Sequence, residues 1–323
     1  MKTRRAFTLV EILVVIAIIG ILVTLVTVAV AGAMRAGKRA RIGVEMNQIA
    51  MALEHSKAEF GEYPPDLFDD AALVRYVKKR WPRYELPQGN VNSHAAFIRA
   101  SINVAYGNSV DFTAPGSKIG SLVLWLGGLP NPDGKLSGFH ADPENPFFLI
   151  TPSDTTDGAI PIGDRVYDKK VFVDWELGEG KRVRFVKYDN NDHYVPVVGT
   201  EIQDTFVPFV YFRGKAEGGS HAYDAPNENT VKSYNFGTVL ETAWSSCGVA
   251  APYIQSAKFE NGVIDESTII WNNPTTYQLI HPGLDGIFGS EPVRVITGTG
   301  ISAADLDNIT NFSDYKELKS ILP

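Results

Sequence analysis

The sequence predicts an α+β fold: a long N-terminal α-helix, half apolar and half amphipathic, packed on an antiparallel β-sheet head with a helical insertion between them. Three observations carry this expectation. The chain opens with a long apolar run that passes into an amphipathic one, and no proline intervenes before Pro64. Helical patterns come early, whereas short β-branched and aromatic runs come late, an order that favours helices set against an antiparallel sheet. Roughly 260 residues follow the long helix, enough to bury a real core.

The first helix has two halves. From Ile12 to Ala31 no residue is charged. At about 1.5 Å per residue, about twenty residues cross a hydrocarbon core of about 30 Å. Backbone groups in lipid must be satisfied internally, so a single span is helical. The many Val, Ile and Thr residues would weaken an isolated helix in water, an objection that lipid removes. From Arg35 to Phe60, the positions Ile42, Met46, Ile49, Leu53 and Phe60 recur on one face. Arg39, Arg41, Glu45, Glu54, Lys57 and Glu59 fall largely elsewhere. Gly61 and Pro64-Pro65 end the helix.

Beyond Pro65, Asp66 to Arg80 reads as a helix with Leu73, Val74 and Val77 inward. Ser93 is a candidate N-cap for a helix through Tyr106. Ser121 to Leu126 is a short apolar helix closed by Gly127-Gly128. A loop-rich stretch follows, from Pro130 to Pro146. Strands are expected at Arg182–Tyr188, Phe206–Phe212, Thr268–Trp271, Tyr277–His281 and Val293–Ile296.

The leader is the most specific stretch. Met1-Lys2-Thr3-Arg4-Arg5-Ala6 runs into Phe7-Thr8-Leu9-Val10-Glu11 and then into the apolar run. A short basic leader, a small residue, Phe, and one acid at the start of a greasy helix resemble the N-terminus of type IV pilins and type II secretion pseudopilins. Leu124-Trp125-Leu126-Gly127-Gly128-Leu129, Gly138-Phe139 and Asn145-Pro146-Phe147 are similar to the head of large pseudopilin-like proteins typical of planctomycete-type bacteria. The resemblance implies residues 1–6 as leader, 7–31 as transmembrane and assembly segment, 32–61 as amphipathic half, and 62–323 as extracytoplasmic head. Within that head, 66–129 would be the helical insertion and 180–300 mainly β.

It implies cleavage between Ala6 and Phe7 by prepilin peptidase and N-methylation of Phe7. It further implies partnership with identical or related pilin-like subunits and with an inner-membrane assembly platform. The chain would be a single-pass inner-membrane protein with its head in the periplasm or outside the cell. In such a filament Glu11 neutralises the Phe7 amine of a neighbour. Many members carry Pro where this chain has Val28. Two plainer readings stand beside this one. Glu11 is also compatible with a place at headgroup level. A basic start, an apolar run and Ala29-Val30-Ala31 also fit an ordinary secretory signal, although the run is long and Glu11 interrupts its start. Lys2, Arg4 and Arg5 before the span and Arg35, Lys38, Arg39 and Arg41 after it leave orientation undecided by charge.

The formal charge is −7, and loss of the leader's cations makes it more negative. Nucleic acid is not an expected partner. Cys247 is the single cysteine, so no intrachain disulfide is available, and a buried small hydrophobe is expected there. Gly283-Leu284-Asp285-Gly286-Ile287-Phe288-Gly289 resembles the calcium loop of major pseudopilins. That resemblance makes calcium the one candidate cofactor and Asp285 and Glu291 its candidate ligands; a tight Asp-Gly turn fits the same residues. Asp189-Asn190-Asn191-Asp192 reads as a polar turn. His55, His94, His140, His193, His221 and His281 lack zinc spacing. Gly298-Thr299-Gly300 lacks the setting of a dinucleotide loop, and Asp154 and Asp157 read as solvated acids rather than an acid–base pair. The expected function is a non-enzymatic subunit of a pseudopilus or pilus, within a type II secretion system. The alternative is a membrane-anchored periplasmic binding module or enzyme that uses only a pilin-like export signal.

Overall fold

The structure is a computed structural model. It describes residues 9–106, 110–112, 115–130, 135–147, 167–168, 171–187, 194–202, 205–215, 218–219, 222–223, 232–236, 242–260, 263–297 and 300–322. The chain falls into two compact units, Met1–Arg41 and Ile42–Pro323. It is α+β: a long N-terminal helix, a few further helices, then small and mainly antiparallel sheets.

Helix α1 spans Leu9–Phe60, 52 residues. It runs unbroken through Val28 and Gly32, since no proline removes a backbone N–H from its ladder. In the first unit its described residues carry no buried side chain. In the second unit the buried face of α1 comprises Ile42, Gly43, Glu45, Met46, Ile49, Ala50, Ala52, Leu53 and Ser56. Of these, Ile42, Met46, Ile49, Ala50, Ala52 and Leu53 share a core with Leu122, Val123, Leu126, Val198, Val207, Phe209, Tyr211 and Leu279. Phe60 packs at the margin, only partly buried.

Glu45 corrects the sequence expectation, because it lies on the inward face. Its carboxylate accepts from Thr200 Oγ1 at 2.5 Å and pairs with Arg182 Nη2 at 3.2 Å. Gly61, at φ +76°, ends α1. A side chain is disfavoured in that left-handed conformation, so glycine sets the stop.

Helix α2 is Asp70–Arg80, four residues shorter than the sequence predicts at its start. Asp69 caps it, its Oδ1 accepting from Ala71 N at 2.9 Å and Ala72 N at 3.1 Å. Asp66, expected inside the helix, is instead a buried acid in the preceding loop. Helix α3 is Val91–Tyr106. Asn90 rather than Ser93 stands before its first turn, accepting from Ser93 N at 3.0 Å. Helix α4 is Ser121–Gly127 and is buried throughout. Gly128 closes it at φ +80°, where a Cβ would come within 2.3 Å of Gly138 backbone atoms. Only glycine admits that approach.

Among the described residues, nine strands build three larger sheets: β1 Val183–Lys187, β2 Tyr194–Ile202, β3 Thr205–Pro208, β4 Val210–Arg213, β5 Tyr253–Ser256, β6 Ile270–Trp271, β7 Tyr277–His281, β8 Arg294–Val295 and β9 Ile309–Thr310. Their orders are β1-β2-β3, β4-β7-β9 and β6-β5-β8, antiparallel except for the parallel pair β5–β8. Three two-stranded ribbons accompany them, Phe139–His140 with Tyr167–Asp168, Tyr234–Asn235 with Val249–Ala250, and Phe259–Glu260 with Val263–Ile264.

The run expected as one strand at Phe206–Phe212 is two. Val207 and Pro208 pair with Thr200 and Gly199, while Val210–Arg213 pair with β7. Phe209 is the corner where the chain passes from one sheet to the next. Strands β2, β5 and β9 lie outside the runs that the sequence predicts as strands.

Candidate functional site

Ala6 and Phe7 lie outside the described residues. Glu11 stands in the first turn of α1, where a carboxylate is favoured by the helix dipole. The side chains that follow are apolar on every face and exposed, among them Ile16 at 60 %, Val23 at 58 % and Val28 at 71 %. A helix apolar all round needs lipid or other helices as its surroundings. The best 18-residue window in α1 has a mean hydropathy of 3.2, with none of it buried within the protein. Thr24 and Thr27 do not spoil the span. Each hydroxyl donates to a carbonyl one turn back, Thr24 Oγ1 to Gly20 O and Thr27 Oγ1 to Val23 O, both at 2.8 Å. Glu11 is therefore the sole ionisable side chain from Leu9 to Met34.

The Gly283–Gly289 loop follows β7. Asp285 Oδ1 accepts from Ile287 N at 2.8 Å, the hydrogen bond of an Asp-Gly turn. The acid beside it is Asp307, whose Oδ2 accepts from Leu284 N at 2.8 Å and from Asp285 N at 3.3 Å. Burial, with Asp307 adding to it, pushes the Asp285 carboxyl up to about 6. Glu291 is exposed. Among the described residues, no three His, Cys, Asp or Glu side chains converge as an ion site. Calcium prefers six to eight oxygens, and the carboxylates here do not amount to that set.

Asp305, two residues before Asp307, is committed elsewhere. It is fully buried against Arg294, with Nε to Oδ1 at 3.1 Å, and accepts from Tyr253 Oη at 2.8 Å and Ser302 Oγ at 2.6 Å.

The other candidates carry no constellation. Burial pushes the Cys247 thiol up to about 11, so it is a poor nucleophile. His55 packs edge-on against Phe172, His94 Nε2 bonds the Pro87 carbonyl at 3.0 Å, and His140 Nδ1 accepts from Asp142 N at 3.1 Å. His281 is fully buried. His193, His221, Asp154, Asp157, Gly298-Thr299 and Asp189–Asp192 lie outside the described residues.

Sequence reasoning missed a second buried pair. Asp66 Oδ2 accepts from Lys232 Nζ at 2.8 Å and from Arg213 N at 2.8 Å. Beside it Arg213 Nη2 meets Glu62 Oε2 at 2.7 Å, and Tyr211 Oη donates to Pro64 O at 2.7 Å. Together these bonds fasten the segment after α1 to β4. Pro64-Pro65 marked the turn, but nothing local marked Asp66 as buried.

The chain as a whole matches no curated protein and no solved structure. Residues 1–27 match the model of the prokaryotic N-terminal methylation motif. That stretch contains the leader, Ala6 and Phe7, Glu11 and most of the exposed apolar surface just described. The motif and the long exposed apolar helix are similar to those of type IV pilin-like precursors, the kind of chain that prepilin peptidase processes.

Proposed function

We propose that the chain is a non-enzymatic structural subunit of a pseudopilus or pilus, within a type II secretion system. Its span sits in the inner membrane and its head in the periplasm or outside the cell. One observation carries this reading: a single acid, Glu11, opens a helix that is otherwise uncharged and outward-facing to Met34. A carboxylate there costs a few kcal/mol unless it is paired or reaches the interface. Cleavage before Phe7 creates a new ammonium four residues away. The Glu11 of one subunit and the Phe7 amine of another neutralise each other only when the helices are correctly staggered. Apolar helix packing then replaces lipid contact with little hydrophobic loss.

The test is Glu11→Ala in cells that assemble the filament. Incorporation is expected to fall at least tenfold, while the head melts as in the wild type. Filaments of unchanged yield would remove the reading.

A second reading, an anchored binding module, is favoured by one feature of the head. An open, largely apolar cleft of about 380 Å³ is lined by Tyr84, Phe97, Ala100, Val104 and Phe147, with Ser101 and Asn145 as its polar members. A ligand held in this cleft by the Glu11→Ala protein as well as by the wild type, with secretion unaffected, would favour it.

A further inference from the structure

No charge occurs from Ile12 to Met34, and four cations then fall within seven residues: Arg35, Lys38, Arg39 and Arg41. No acid stands between Glu11 and Glu45. All four cations are on α1. Arg35, Lys38 and Arg39 are at i, i+3 and i+4, hence on one face. With Arg41 they span an arc of about 160° around the helix. Arg35, Lys38 and Arg41 are exposed and Arg39 is half-buried.

Length puts this belt at a defined depth. The uncharged stretch is about 34 Å long as a helix, against a hydrocarbon core of about 30 Å. With Glu11 at one boundary, Arg35 emerges just past the other. The next two turns then lie among headgroups, and their long side chains reach phosphate while their stems stay in the interface. A surface bearing anionic phosphates attracts such cations by about 1 kcal/mol each, that is about fivefold per cation.

We propose that Arg35, Lys38, Arg39 and Arg41 form a binding belt for anionic phospholipid headgroups on the head side of the bilayer. The belt moors the subunit before extraction, so the anionic lipid content of the membrane sets how readily the subunit leaves it. This inference rests on the reading of α1 as a membrane span.

The test places the full-length protein in nanodiscs of equal phosphatidylcholine and phosphatidylglycerol and counts the lipids retained by native mass spectrometry. The wild type is expected to retain phosphatidylglycerol preferentially. R35Q/K38Q should lose most of that preference and R35Q/K38Q/R39Q/R41Q all of it, at about fivefold per cation. The near-ultraviolet circular dichroism of the head should stay unchanged. Equal retention of both lipids by the wild type, or undiminished selectivity in the quadruple variant, overturns the proposal. So does self-association in phosphatidylcholine-only discs that the quadruple variant loses, because the belt would then belong to a neighbouring copy. Alkaline carbonate washing of vesicles separates the two levels. Release of the wild type would mean that α1 does not span, whereas firm retention without lipid selectivity would mean that the span stands and the belt does not.

Discussion

His281 shows how one buried side chain makes the head sensitive to acid. Its Nδ1 accepts from Gly283 N at 3.2 Å, and its ring lies 4.7 Å from that of Phe209. Nε2 then carries the proton, in a place where no hydrogen-bond partner is present. Desolvation pushes the imidazole down to about 3. The unfolded chain therefore takes up a proton near pH 6.5 that the folded one refuses. Stability is complete above about pH 6.5 and falls as pH drops towards 3, by about 2–3 kcal/mol at pH 4.5.

Asp285 acts in the opposite direction. Its carboxyl is raised from 3.8 to about 6, so the folded state binds the extra proton between those values and is stabilised by acid. In thermal melts from pH 7.5 to 4.5, His281→Asn should flatten the acid loss while lowering the melting temperature throughout. Asp285→Asn should raise stability at pH 7, by no more than about 1 kcal/mol after solvent screening, and should steepen the acid loss. A wild-type melting temperature that does not fall between pH 6.5 and 4.5, with both variants parallel to it, would contradict both assignments.

Elements are held together by charges as much as by apolar faces. Asp66 and Lys232 are both buried, at 1 % and 3 % exposure. Removing one leaves the other an uncompensated ion, which typically costs about 3–5 kcal/mol. Asp66→Ala should therefore lower the denaturant midpoint strongly, and Asp66→Leu with Lys232→Met should recover much of the loss. A single variant within 1 kcal/mol of wild type would show that water or another group satisfies Lys232.

Strand β2 shows why some elements were hard to read. Tyr194–Ile202 contains Pro196 and Gly199, both of which argue against a strand by local rules. In the sheet, Tyr194–Val198 ladder with β1 and Gly199–Ile202 with β3. Pro196 thus lies in the half of β2 that ladders with β1, and on its other edge that half is bridged at Tyr194 by Val110, so the missing N–H of Pro196 is tolerated. Gly199 lies where a Cβ would come within 2.4 Å of Val207 O. Neighbours distant in sequence turn both breakers into requirements. By contrast Tyr277–His281, which holds Tyr277 and Ile280 and contains no Gly or Pro, was legible at its observed bounds.

The core of the second unit begins at Ile42, for no described residue before it is buried. A chain starting at Arg35 should accordingly fold in water without detergent and melt within about 2 °C of the full-length protein. A chain starting at Ala50 should not fold, since it lacks Ile42, Met46 and Ile49, each 3 % exposed or less, and such losses cost about 2–5 kcal/mol apiece. Circular dichroism of both truncations tests this.

The span, the acid that opens it, the cations that follow and the inward stripe of α1 are written in consecutive residues. Lipid and water sort side chains one by one along a single helix, so order and spacing suffice to reveal them. The partners of the buried charges are not. Asp66 meets Lys232 across 166 residues and Glu45 meets Thr200 across 155. Such pairings depend on how separate sheets and loops close around a shared interior, and no local pattern distinguishes an acid that will be enclosed from one that will stay in water.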